Sequence, residues 1–243
     1  MASTFRSDGG AAYRLRMGSN WSVGSRLTFS GAVSYRQEDN FVEWASNETF
    51  VRLDADRWAI GEESVPPEEL DDDDLRPLGY GHDRLSALLR TIRSDRPGEY
   101  YLPVYGSRDT RRLDVTLRSN VTFTPHLSLE FFGQLFAARG HYDRFRLLTS
   151  PDRMAPFEAY PKQHDFATGS FISNAVLRWE FQPGSEIYLV WSQARRYDPE
   201  TPLFYDAPRA SPYATPTAEQ LVDTFGAFPE HAFLVKLRYL IMS

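Results

Sequence analysis

The sequence predicts an all-β fold: an antiparallel meander of the outer-membrane β-barrel type, or part of such a barrel, with long irregular loops. Three observations predict it. Apolar and polar residues alternate with period two over runs of ten residues or more, as in a strand that faces two environments. Tight turns between some of these runs contrast with long connectors between others, the asymmetry of barrels that cross an outer membrane. No stretch approaches the ~18 apolar residues of a membrane-spanning helix. The mean hydropathy of −0.46 is compatible with a barrel, whose strands are apolar on one face only.

Near the start, Tyr13, Leu15 and Met17 alternate with Arg14 and Arg16, and Leu27 to Tyr35 repeat the pattern against Arg26 to Arg36. Weaker strand signals lie around Phe41–Leu53 and Tyr100–Tyr105. The clearest run is Arg112 to Phe123, with Leu113, Val115, Leu117, Val121 and Phe123 on one side and Arg112, Asp114, Thr116, Arg118 and Asn120 on the other. Thr124-Pro125-His126 closes it, since proline donates nothing to a ladder. Leu127 to Ala137 return as the second arm. Phe171 to Gln182, the turn at Pro183-Gly184, and Ile187 to Trp191 form another hairpin. After Trp191 the apolar side turns polar at Gln193 and Arg195, where that strand is expected to leave its apolar surroundings. Phe233 to Ile241 make the last strand, for a total of roughly eight.

The connectors differ in character. Gly61 to Gly98, an insert over residues 61–98, is acidic first (Glu62, Glu63, Glu68, Glu69, Asp71 to Asp74) and basic later (Arg84, Arg90, Arg93, Arg96). Leu85 to Ile92 fit two helical turns within it. Pro151 to Gly169 and Asp198 to Pro216 are proline-rich and lack periodicity. Thr217 to Phe225 fit a short helix, with Thr217 as N-cap and Gln220 completing a capping box.

A soluble β-sandwich would also alternate, with one face in a core and one in water. Strand length favours the membrane: soluble strands average ~5–6 residues and spanning strands need ~9–11. Aromatics near strand ends fit a headgroup girdle, for which Trp179, Phe181, Trp191 and Tyr239 are the candidates. The opposite side would face a lumen, with Arg118, Glu130, Gln134, Arg178, Glu180, Arg196, Lys236 and Arg238 as candidate lining residues.

Composition excludes several functions. Forty-two per cent apolar residues can build a core, so this is not a disordered tail. A net charge of −6 without a basic stripe argues against nucleic acid. The absence of cysteine removes disulfides, thiolate metal sites and cysteine nucleophiles. Asp71 to Asp74 lack the glycine and ligand spacing of a calcium loop and read as solvated. His82, His126, His141, His164 and His231 show no metal-pair spacing and read as loop or turn residues. No nucleophile elbow or phosphate loop is present, and Gly79-Tyr80-Gly81 is an isolated pair of glycines. No catalytic residue, cofactor or metal is expected. Asp114, Glu130 and Glu180 are the strand carboxylates a glycosidase would have to use.

Several segments resemble one family. They are Leu117 to Leu129 with its Thr-Pro turn, Phe132 to Tyr142, Ser173 to Phe181, Pro183-Gly184-Ser185, Tyr188 to Gln193, and Phe233 to Tyr239. Together these resemble the C-terminal barrel domain, of uncharacterised function, in bacterial proteins that begin with a carbohydrate-binding domain like family nine. The close likeness covers about residues 109–197 and 231–240. It implies an outer-membrane setting, outer-membrane lipid as partner, and a glycan met through a missing N-terminal domain. The chain, residues 1–243, is then a C-terminal barrel domain and a fragment of a longer protein, in keeping with its start, which carries no basic-then-apolar export signal. The expected function is a membrane anchor or passage domain of a glycan-related surface protein. The alternatives are the non-catalytic part of a carbohydrate-active hydrolase and a soluble β-sheet binding domain.

Overall fold

Period-two alternation becomes one antiparallel sheet. The computed structural model describes residues 2–7, 9–54, 57–61, 65–71, 73–78, 82–92, 96, 98–199 and 211–241. Glu62, Glu63, Asp72, the Gly79-Tyr80-Gly81 segment, Arg93 and most of the 198–216 connector lie outside the described residues. Eleven strands form the sheet: β1 (Ala2–Ser7), β2 (Gly10–Val23), β3 (Leu27–Arg52), β4 (Trp58–Ile60), β5 (Arg76–Pro77), β6 (Glu99–Thr124), β7 (Leu127–Ser150), β8 (Arg153–Pro156), β9 (Phe166–Gln182), β10 (Ser185–Tyr197) and β11 (Glu230–Arg238). The order β1-β2-β3-β6-β7-β9-β10-β11 is a meander; β4 and β8 are short additions on β3 and β7, and β5 pairs with β4. Among the described residues the sheet is not closed, and β1 and β11 are its edges. Two helices accompany it, α1 (His82–Leu89) and α2 (Thr217–Gly226).

The strands are longer than the pattern suggested. The separate runs at Leu27–Arg36 and Phe41–Leu53 are one strand of 26 residues, as are Tyr100–Tyr105 and Arg112–Phe123. β-Bulges explain the difference. The β3–β6 register shifts between Glu38 and Phe41 and again between Trp44 and Ser46, and the β6–β7 register between Tyr105 and Ser107. Each extra residue reverses which side chain faces which side, so the alternation breaks while the ladder continues. Asn40 carries the first bulge with φ +66°, a conformation asparagine tolerates better than most residues. Its N–H donates to Asp109 Oδ1 at 2.8 Å, and its side-chain oxygen accepts from Arg144.

Three short turns, at residues 24–26, 125–126 and 183–184, lie at one end of the sheet. The insert, β8 and the chain leading to α2 lie at the other. There the continuations of β3, β6 and β7 join β4, α1 and β8 in a head with a buried core. Phe50, Ile60, Leu89, Val104 and Leu147 are at most 1% exposed, and Trp58, Phe145, Phe157 and Tyr160 pack with them. The insert is therefore a structural part of the head: Trp58 Nε1 donates to Ser86 Oγ of α1 at 2.7 Å, and Leu85 and Leu89 bury one side of that helix.

α1 begins and ends three residues before the expected Leu85–Ile92. α2 spans the expected residues, but its N-cap is Pro216, with no capping side chain. Thr217 is already helical, and Gln220 is buried with Nε2 donating to Thr215 O at 3.4 Å, so the capping box does not form.

Leu147→Ala is expected to destabilise the head by about 2–5 kcal/mol, the usual cost of a buried leucine. Chemical denaturation of the refolded protein measures it; a loss below about 1 kcal/mol would contradict the placement of this core.

Candidate functional site

Cross-strand register separates the turn-side half of the sheet into two unlike faces. One row reads Trp21, Phe29, Ser119, Phe131, Ala175, Trp191 and Phe233 across β2, β3, β6, β7, β9, β10 and β11. The neighbouring row, pointing the other way, reads Asn20, Ser30, Arg118, Phe132, Asn174, Ser192 and Ala232. Further along, Leu15, Tyr35, Leu113 and Ala137 lie on the first face, and Arg14, Arg36 and Arg112 align on the second.

The eight candidate lining residues all belong to the polar face. Arg118 and Glu130 border a concavity of about 690 Å³ on this face, together with Asn20, Asn120, Asn174 and Phe132. The Arg118 guanidinium lies over the Phe132 ring at 5.3 Å, and Ser192 Oγ donates to Asn174 Oδ1 at 2.6 Å. Amides, hydroxyls, one guanidinium and one carboxylate give this hollow both donors and acceptors. Such a set suits neutral polar solutes better than a metal or a polyanion. Gln134 sits one row further from the turns beside Thr116 and Ile172, and Arg196 opposes Ser170.

Arg178, Glu180, Lys236 and Arg238 gather at the turn end around Glu186, which the sequence did not single out. Glu186 accepts from Arg178 and from Tyr188 OH (2.9 Å), with Arg238 Nη1 at 3.9 Å. Lys236 Nζ lies 5.8 Å over the Tyr188 ring. Glu180 accepts from the Gly184 N–H at 3.0 Å and meets His126 Nδ1 at 3.2 Å. Gly184, at φ +78°, makes the tight turn that presents its N–H to this carboxylate.

The strand carboxylates do not form a glycosidase pair. Glu130 opposes Asn120, six residues from Asp114, and opposes Val176, four residues from Glu180. At about 3.3 Å per residue the offsets are ~20 Å and ~13 Å, beyond the ~5–9.5 Å such enzymes use. Glu180 and Glu186 oppose one another directly, but each is engaged by its own donors. Asp71 Oδ1 accepts from the N–H groups of Asp73 (3.0 Å) and Asp74 (3.3 Å), so that run closes its own turn. Among the described residues no group of three or more acidic or histidine side chains is arranged to hold a metal.

The four girdle candidates lie on the apolar face. Trp179, Phe181 and Tyr239 form a chain at the turn end, with ring centroids 6.1 and 6.4 Å apart. Trp191 lies higher, stacked on His231 at 5.9 Å, with Nε1 donating to His231 Nδ1 at 3.1 Å. His231 and His141 lie in strands and His82 opens α1, a correction to their reading as loop or turn residues. The polarity of Arg195 also has a specific cause: Nη1 donates to the carbonyls of Phe225 and Ala227 at the C-terminal end of α2.

A second polar cluster, buried in the head, escaped the sequence reading. Lys162 and Glu48 are fully buried, with Nζ to Oε2 at 2.6 Å. Lys162 also donates to Gly61 O at 2.8 Å, and Glu48 Oε1 accepts from Ser46 Oγ and Tyr160 OH, both at 2.6 Å. Tyr160 has one proton and gives it to Glu48. His164 Nε2, 2.5 Å from that hydroxyl oxygen, is therefore the donor, and His164 is the neutral tautomer protonated at Nε2. Burial first, then the charge of Lys162, lowers the His164 pKa to about 4. Next to it, Asp165 accepts from Tyr142 N–H at 2.9 Å, meets His141 Nδ1 at 2.9 Å and accepts from Ser211 Oγ. With Glu48, Lys162 and Asp165 buried and hydrogen-bonded, the cluster ties the 158–165 segment to β3 and β7.

Two consequences follow from this burial. Lys162→Met leaves Glu48 buried without its cation and is expected to cost about 3–5 kcal/mol; Lys162→Met with Glu48→Leu should recover much of that loss. Equilibrium denaturation decides, and a single mutant as stable as the double would contradict the pairing. His164 has a lower pKa folded than unfolded, so its contribution is complete above about pH 6.5 and is lost as pH falls towards about 4. Melting curves across that window should fall more steeply for the parent than for His164→Gln; parallel curves would refute the assignment.

The model of a family described as a domain of unknown function (DUF5916) matches residues 96–241, from just before β6 to beyond β11. No curated protein and no solved structure matches the chain. Since the match spans more than half of the sequence, from β6 to β11, the chain belongs to the DUF5916 family.

Proposed function

We propose that this chain is an outer-membrane β-barrel segment: a membrane anchor whose polar face lines a passage, serving a glycan-related surface protein. The observation that carries the reading is the bare apolar face. Met17, Trp21, Val23, Trp179, Phe233 and Val235 are all at least half exposed, those of β2 and β11 along the open edges of the sheet, and Val33 and Leu189 on paired strands are 44% and 45% exposed. A monomer in water rarely leaves so large an apolar surface uncovered, whereas lipid covers it at no cost.

The dimensions fit. From Phe171 to Phe181 the strand rises about 33 Å, or about 25 Å along the membrane normal at a tilt of ~40°, the height of a barrel's apolar band. Short turns at one end and a folded head at the other match the asymmetry of such barrels. The glycan part of the reading draws on the hollow of the polar face, where amides and hydroxyls stand beside Arg118 and Glu130 over a largely apolar lining that includes Phe132 and Val176, a mix that suits a sugar's hydroxyls and apolar ring faces. The open edges at β1 and β11 call for further strands, which a longer parent would supply.

The test is refolding in detergent micelles and in plain buffer, followed by gel mobility with and without heating. A compact, heat-sensitive species formed only in detergent is the expected result. A monodisperse folded species in plain buffer would sink the membrane reading and favour a soluble binding domain.

A further inference from the structure

The apolar face carries α2, and the surface of that helix is divided. α2 lies across the loop-side end of that face, over β7, β9 and β10. Gly169 makes the close approach possible, since a Cβ there would collide with Thr224 of the helix. Phe225 packs on Phe171 at 5.1 Å, and Arg195 holds the helix end by two carbonyls. Arg139 Nη1, from the same face of β7, donates to Tyr213 O and Thr215 O, both at 2.9 Å, fixing the approach to the helix.

At 3.6 residues per turn, α2 presents three arcs. Gln220 and Thr224, both fully buried, make the contact with the sheet. Val222 and Phe225, 69% and 47% exposed, make an apolar arc, extended past the helix end by Phe228 at 96%. Glu219 and Asp223 make an acidic arc on the remaining side. The orientation of these arcs follows from their contacts. Phe225 meets Phe171, one row nearer the turns than the Gly169–Tyr197 row, whereas Thr224 sits over Gly169 and Asp223 lies beside Tyr197, both in that further row. The apolar arc therefore borders the apolar band, and the acidic arc points away from it.

We propose that α2 is an interfacial helix lying in the headgroup layer at the loop-side rim of the membrane face, with Val222, Phe225 and Phe228 in contact with lipid. This rests on the membrane reading above. A helix that only covered the sheet would bury its apolar residues against it; this one buries Gln220 and Thr224, keeps Phe225 half exposed beside Phe171, and leaves Val222 and Phe228 outward, level with the boundary where lipid chains give way to headgroups. The lipid surface is the occupant because the arc meets Phe171, which adjoins Leu135 and, across Gly133, Phe131 on the face that faces lipid. In this position the helix sets how deeply the sheet sits, stopping the band at Phe171 and Trp191.

The chain contains no cysteine, so single sites can be labelled cleanly. Phe228→Cys, Val235→Cys and Thr91→Cys, in the full chain, are labelled with an environment-sensitive fluorophore. Each is reconstituted into dimyristoyl phosphatidylcholine vesicles carrying a spin label at the headgroup or deep in the acyl chain. The label at 228 should be quenched about twofold more by the headgroup spin, the label at 235 more by the acyl spin, and the label at 91 in the head by neither. Quenching at 235 without quenching at 228 would overturn the interfacial helix and leave the membrane reading intact. Quenching at neither would overturn both.

Discussion

Everything in this molecule depends on one sheet having to satisfy two different surroundings. The backbone hydrogen bonds of β2 to β10 are closed between neighbours, so the ladder itself needs no solvent. The side chains do. Trp21, Phe131 and Phe233 on one face call for an apolar medium, and Asn20, Arg118 and Asn174 on the other call for a wet one. A single apolar core cannot serve both, and the sheet builds none: the conventional core, around Phe50, Ile60 and Leu147, is displaced into the head.

The transition between band and head is where the chain departs from regular pairing. Bulges at Asn40 and near Ser107 reorient β3 and β6 just as Arg111 and Arg108 meet Asp39 (2.7 Å) and Glu43 (3.4 Å). These partly buried pairs hold β3 against β6 where the register shifts. Beyond it, the Glu48–Lys162 pair and Asp165 pin the 158–165 segment and the approach to α2 onto the long strands. The head, the buried network and the helix on the rim thus form one connected cap on the loop side.

Much of this was legible in the sequence, for physical reasons that can be named. From Arg112 to Ala137 the ladder has one irregularity, at the Thr122–Thr124 turn, so the alternation keeps its phase along each arm, despite Ser119 on the apolar side and Phe132 and Phe136 on the polar side, and the hairpin is read directly. The same alternation puts all eight polar candidates on one face. Where a bulge intervenes, at Asn40, the pattern reverses and one strand reads as two. The head core was not legible because Trp58, Ile60, Leu85, Leu147 and Phe157 follow no period and meet only through long-range pairing. Glu48 and Lys162 lie 114 residues apart, and nothing local marks either as buried. Glu186 looked like any strand carboxylate until Arg178, Tyr188 and Arg238 were placed around it.

The most direct test of the two-faced sheet is a spin-label scan of β7 from Leu127 to Ala137 in lipid vesicles, read by collision with oxygen and with an aqueous nickel complex. The account predicts a period-two alternation, with oxygen contact highest at Leu129, Phe131 and Leu135 and nickel contact highest at Ser128, Glu130 and Gln134. Equal nickel access on both sides, or an alternation of opposite phase, would contradict it.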